Sequence, residues 1–128
     1  MIIAIQAGDK DKDPAQTRSH MMSILEEVAH EGDSVLFMDQ PSTMSDQIQP
    51  VAEDLGLDVI KITPEFMLHG LGAIEYALTL VAARSDVSII LGGSEEMSTI
   101  DRDFQSFVVF FGHPYVKTVV PYERIEVL

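Results

Sequence analysis

Ser88-Ile-Ile-Leu-Gly-Gly-Ser-Glu-Glu96 decides how this chain is read. The apolar run over residues 87–91 stops abruptly at Gly92-Gly93-Ser94, and a helix-compatible segment follows. A buried strand that meets small residues and then a helix is the pattern at the carboxyl end of a strand in an open α/β sheet, where backbone approaches a ligand closely. Ser94 stands where it would cap the next helix, whose free N–H groups would then face an anion. The turn marks a place for a site without naming a reaction.

Working outward, four further runs share the same character: Ile2–Gln6, Ser34–Met38, Asp58–Ile62 and residues 116–120. Each is short and rich in Val, Ile and Leu, as strands buried on both faces should be. Helix-like segments separate them at spacings suited to right-handed βαβ crossovers. The expected fold is a three-layer α/β/α sandwich, Rossmann-like, with five mainly parallel strands in the order 3-2-1-4-5. No repeat, linker or low-complexity tract divides residues 1–128, so one domain is expected.

Asp13-Pro14-Ala15-Gln16 opens the first helix with an N-cap, a proline at the first helical position and a capping-box glutamine. Met21, Ile24, Leu25 and Val28 then recur at helical spacing, with Gly32 placed as a C-cap. In the second helix Ile48, Val51, Ala52 and Leu55 have helical spacing, Pro50 must start or kink it, and Gly56 ends it. The third begins after Thr63-Pro64, breaks at Gly70 and Gly72, and resumes over Ala73–Arg84. The fourth, Thr99–Phe111, carries Phe104, Phe107, Val108, Val109, Phe110 and Phe111. Helices three and four have more apolar surface than one sheet face covers, which predicts a homo-oligomer built through them. The tail 122–128 alternates as an edge strand or an arm would.

Eight Lys and Arg stand against 21 Asp and Glu, a net charge of −13. A field of that sign repels nucleic acid and anionic membranes, and disfavours a highly charged phosphate ligand unless local cations compensate. The acids are dispersed, which fits solubility better than a surface made for a basic partner. Hydrophobic residues, 46% of the chain, are too many for a disordered protein. No apolar run is expected to reach the roughly 18–20 residues of a membrane span. Without cysteine there is no disulfide framework or thiolate site, and an intracellular, cytoplasmic protein is the default.

The strand ends bring together four loops: residues 6–9, 39–43, 63–72 and 92–95. Loops one and four flank the point where the strand order reverses, so Gly8, Asp9, Gly92, Gly93 and Ser94 form the default site. Asp9-Lys-Asp-Lys-Asp13 has the alternation of a calcium loop. Pro14 stands where that loop needs glycine and His20 where it needs glutamate, so no metal is expected. His20 and His30 fall on the surface of the first helix, and His113 precedes Pro114. His69, with Glu75 six residues on and Asp39 opposite, is the histidine placed for a proton relay or for fixing hydroxyls. Glu75, if buried against a cleft, would have a raised pKa and would serve as acid or nucleophile. Neither a nucleophile elbow, a Walker motif nor a full G-x-G-x-x-G occurs, and no cofactor is expected.

The layout resembles the SLOG and nucleoside 2-deoxyribosyltransferase-like group of small Rossmann-type domains. Residues 2–9, 42–46 with the helix to Gly56, and 88–99 carry the resemblance, followed by His113-Pro114 into the last strand. The chain departs from that pattern at Asp39-Gln40-Pro41-Ser42-Thr43, where a Gly-rich turn is usual, and at Ile74-Glu75, where an Arg-Asn pair is usual. The resemblance implies binding, with or without modification, of a nucleotide- or nucleoside-like molecule. The missing cations favour a weakly charged one. Gly8, Gly92, Gly93, Ser94 and Thr43 would then present backbone and hydroxyl groups. Asp9 and Glu75 would hold ligand hydroxyls or act as nucleophile, and Arg102 is the remaining cation. The competing expectation is a non-catalytic, acidic, oligomeric interaction or inhibitor protein with a vestigial cleft. A flavodoxin-like redox carrier is a distant third, since the first loop lacks the Ser/Thr richness that cradles a flavin phosphate.

Overall fold

The computed structural model describes residues 1–122. Its five strands are β1 (Ile2–Gln6), β2 (Ser34–Met38), β3 (Asp58–Ile62), β4 (Val87–Gly92) and β5 (Tyr115–Val119). They form one sheet in the order β3-β2-β1-β4-β5, and every pairing is parallel. The expected order and the bounds of the first three strands are therefore observed. β4 extends one residue further, to Gly92, and β5 starts and ends one residue earlier than its apolar run.

Alternation along the strands sorts side chains into two cores. Ile3, Ile5, Val35, Phe37, Ile89 and Leu91 pack with Met21 and Leu25 of α1 (Pro14–Val28) and with Ile48 and Val51 of α2 (Ile48–Asp54). On the other face Ala4, Leu36, Met38 and Ile90 pack against later helices. These supply Ala77, Leu78 and Val81 from α4 (Ala73–Arg84) and Phe104 and Val108 from α5 (Thr99–Phe111). A four-residue helix, α3 (Phe66–His69), precedes α4. Three layers result because the three central strands are apolar on both sides and each face is covered by helices.

The two edge strands correct an expectation. β3 and β5 are not buried on both faces: Ile60, Tyr115 and Val116 are 38–42% exposed. Each has a single strand neighbour, and their Val and Ile content reflects β-propensity rather than two-sided burial.

Helix ends differ from the sequence reading in detail. Asp13 caps α1 as expected, accepting from the backbone N–H groups of Ala15 and Gln16 at 3.2 and 3.3 Å. Gln16 does not complete a capping box; its Nε2 donates to the Pro121 carbonyl at 3.1 Å. Ala29, in extended conformation, ends α1, and Gly32 at φ +88° shapes the turn beyond it. Pro50 lies in the first turn of α2, where its missing N–H has no partner to lose, so no kink is needed. His20 is half-buried rather than on the surface. Its Nε2 lies 3.0 Å from the Thr118 hydroxyl on β5, and burial lowers its pKa.

The third helix breaks where expected. Gly70 adopts φ +60° and ψ −136°, a conformation that side-chain-bearing residues avoid, and a 3-10 turn over Gly70–Gly72 leads into α4. Phe66–Arg84 is 19 residues long with a mean hydropathy of 1.5 over its most apolar 18, but His69, Glu75 and Arg84 interrupt it, so no continuous apolar run of membrane-spanning length results. In this fold the stretch is broken at Gly70, and α4 buries Ala73, Ala77, Leu78, Val81 and Ala82. The expected edge strand or arm at the tail falls, beyond Tyr122, outside the described residues. Asp13→Ala removes the α1 cap and is expected to cost about 1 kcal/mol, readable as a lower urea midpoint with an unchanged m-value.

Candidate functional site

The carboxyl ends of β1 and β4 meet the first turn of α5. Ser98, not Ser94, caps that helix: its Oγ accepts from the Asp101 N–H at 3.2 Å, whereas the Ser94 hydroxyl donates to the Glu96 carbonyl at 3.1 Å. The cap turns Asp101 back toward β1. Its Oδ1 accepts from Gln6 Nε2 and from the Gly8 N–H, both at 3.0 Å. A Cβ on Gly8 would lie 2.8 Å from that same oxygen, so glycine is what lets the backbone reach the carboxylate.

A second carboxylate closes the other side. Asp9 Oδ2 accepts from the Gly93 N–H at 2.7 Å, joining the first loop to the fourth. Ser42 pins the second loop onto the first; its hydroxyl lies 2.9 and 2.7 Å from the carbonyls of Ala7 and Asp9. The backbone N–H groups of Gly8 and Gly93, which the sequence reading offered to a ligand anion, are therefore held by the protein's own carboxylates. The crevice between β1 and β4 is filled from within.

Asp101 and Gln6 are each 1% exposed; the sequence reading placed Gln6 in the first loop without a role and did not name Asp101. A signal for Asp101 was present: Ser98-Thr-Ile-Asp101 has the S-x-x-D spacing that opens a helix. Gln6 offered only its position, a polar residue closing an otherwise apolar strand. Burial pushes the Asp101 carboxyl above its ordinary range and the Asp9 charge adds to this, against the hydrogen bonds from Gln6 and Gly8. Asp101 Oδ2 is buried without a hydrogen-bond partner, as is Gln40 Nε2; Gln40 Oε1 lies 3.4 Å from Gln6 Nε2.

The cavity lies one strand over, at the ends of β2 and β3, with a volume of about 550 Å³. Such a volume is in the range of small-molecule sites. Met38, Pro41, Pro64, Phe66, Ile74 and Ile100 form its apolar walls, and Asp39, Gln40, Asp46 and Thr63 supply polar groups. None of the residues singled out from sequence as the default site lines it. Thr43 is exposed, and its Oγ1 accepts from the Asp11 N–H at 2.6 Å. Glu75 is exposed on α4 rather than buried, and Arg102 is exposed on α5 without an ion pair among the described residues. His69 stacks on Tyr76, ring centroids 4.2 Å apart, and lines a separate hollow of about 270 Å³. Among the described residues no group of three or more His, Asp or Glu is placed to hold a metal ion.

These features define a Rossmann-like α/β protein whose switch-point crevice is closed by its own carboxylates. No family model matches the chain, and no curated protein sequence matches it. Among solved structures, a predicted subunit of a tRNA methyltransferase from Methanocaldococcus jannaschii is similar at 14% identity and a TM-score of 0.47. The similarity covers 97% of this chain and 70% of that one.

Asp101→Asn tests the buried carboxylate. With its pKa raised above the ordinary 3.8, Asp101 holds its proton more tightly in the folded state. That contribution is complete below the unfolded value and is lost as pH rises through the raised one. Asparagine keeps the Oδ1 acceptor and carries no charge. The variant is therefore expected to melt above the wild type at neutral pH, with the gap shrinking toward about pH 4. Thermal unfolding followed across that range checks it, and a gap independent of pH would refute it.

Proposed function

We propose that the chain is a single-domain binding protein for a nucleotide- or nucleoside-like molecule of low charge, held at the carboxyl ends of the strands in the manner of SLOG-like domains. The cavity of about 550 Å³ beside Gln40 carries the reading. In this reading the ligand lies at the ends of β2 and β3 rather than β1 and β4. Apolar walls suit a base, Asp39, Asp46 and Thr63 suit sugar hydroxyls, and no Lys, Arg or His lines the cavity to balance a phosphate. In this reading Asp39 and Asp46 take the place first given to Asp9 and Glu75 as the carboxylates beside the ligand. The Gln6–Asp101–Gly8 contacts act as the frame behind it.

A thermal-shift series over adenosine, uridine, adenosine 5′-monophosphate and ribose 5-phosphate tests it. A binding nucleoside at a hundredfold excess over its Kd stabilises the fold by about 2.7 kcal/mol. Ile100→Trp, which fills the cavity, is expected to abolish that shift. If no nucleoside moves the transition, the reading fails.

The second reading, an acidic oligomeric interaction protein, is favoured by a different observation. Met67 and Leu71 are fully exposed, and Phe110 is 82% exposed. Monomers seldom leave several apolar side chains of this size in water. The homo-oligomer is accordingly proposed to pack through α3, α4 and α5. Met67→Glu with Leu71→Glu is expected to shift the protein to its monomer mass in light scattering while leaving Tm within about 2 °C. An unchanged mass would remove α3 from the interface.

A further inference from the structure

The cavity at the ends of β2 and β3 has a charge character that its volume does not convey. Asp39 and Asp46 line it together, and no cationic side chain does. Each is held in place through its backbone: the Asp39 N–H donates to the Ile62 carbonyl at 2.8 Å, and the Asp46 N–H to the Ser42 carbonyl at 3.1 Å. Neither carboxylate makes a hydrogen bond or an ion pair through its side chain among the described residues. Lys61 on β3 shares only an adjoining hollow of about 110 Å³ with the two aspartates and forms an ion pair with neither.

Two further facts point the same way. Phe66 contributes an aromatic ring to the cavity wall, and ring faces attract cations. The chain's net charge of −13 raises the local concentration of cations, and apolar walls such as Met38, Ile74 and Ile100 focus that field into the cavity.

From this we infer that the cavity selects a positively charged ligand, an organic amine or ammonium group paired with Asp39 and Asp46, whose apolar or aromatic body lies against Phe66, Ile74 and Ile100. The inference rests on the cavity being the binding site and adds the charge class that the site accepts. An anionic ligand of the same shape meets two carboxylates and no cationic side chain, with only the neutral donors of Gln40 and Thr63 to set against them. A neutral one gains only the apolar contacts.

Shape-matched probes separate charge from shape. The first series is 5′-amino-5′-deoxyadenosine, adenosine and adenosine 5′-monophosphate; the second is phenethylamine and phenylacetate. Each is titrated calorimetrically into the full chain, into Asp39→Asn, Asp46→Asn and their double variant, and into Asp58→Asn as a distant acidic control. The amine is expected to bind best in both series, by about tenfold over its neutral or anionic counterpart. That advantage is expected to vanish in the double variant and to survive in Asp58→Asn.

If adenosine and its amine bind alike in every variant, the charge inference is overturned and the nucleoside reading stands. If phenethylamine binds in an Asp46-dependent way while no adenosine derivative binds, the charge inference stands and the nucleoside reading is lost. Absence of binding by every probe overturns both.

Discussion

One carboxylate, Asp101, ties the middle of this molecule together. From the first turn of α5 it reaches β1 and takes both the Gln6 amide and the Gly8 N–H on a single oxygen. That pair of bonds sets the end of the central strand against the start of the last helix, across 93 and 95 residues of chain. The first loop can turn as it does only because Gly8 has no Cβ to meet that oxygen. Asp9 then crosses to Gly93, and Ser42 draws in the second loop. The upper rim of the sheet is an assembly of these few polar contacts. Buried carboxylates carry a desolvation cost, offset here by the hydrogen bonds they accept.

In Rossmann-type sheets the backbone donors at the reversal of strand order are ordinarily available to an outside anion. Here they are satisfied internally. A phosphate at this point would have to displace a carboxylate from its hydrogen bond and then face the charge of the other. The acidic composition, read from sequence as a general bias against charged phosphates, has a local expression at the one place where such a ligand would be sought. The cavity one strand over has apolar walls, and the charged groups that line it are both negative.

Much of the architecture was legible in the sequence because the central strands are continuous apolar runs. Their alternation decides which side chains face α1 and α2 and which face α4 and α5. Edge strands read as buried because Val and Ile serve equally for β-propensity and for core, and a single strand does not reveal how many neighbours it has. The site was legible only as a neighbourhood. Gly8, Asp9 and Gly93 do converge, but as partners of one another and of Asp101. Asp101 leaves no periodic signature, since its burial arises from contacts with residues some 90 positions away. Ser94 and Ser98 illustrate the same limit: both precede a helix-compatible segment, and only Ser98 has an acidic residue three positions on. The cavity is built from loops after β2 and β3 together with Ile74 and Ile100, a set that only the folded topology brings together.

Gly70 has a role beyond ending a helix. Among the described residues Phe66 to Arg84 form the most membrane-like stretch, and a continuous helix of 19 residues would be about 28 Å long, close to the thickness of a bilayer's hydrocarbon core. A single backbone conformation that few residues other than glycine adopt divides it into a four-residue turn of helix and a twelve-residue core helix. The fold thus keeps a segment with the composition of one environment committed to another by geometry rather than by charge. The same break sets Phe66 and Ile74, one on either side of it, against a single cavity, so any substitution that lets the two pieces join would move a cavity wall as well.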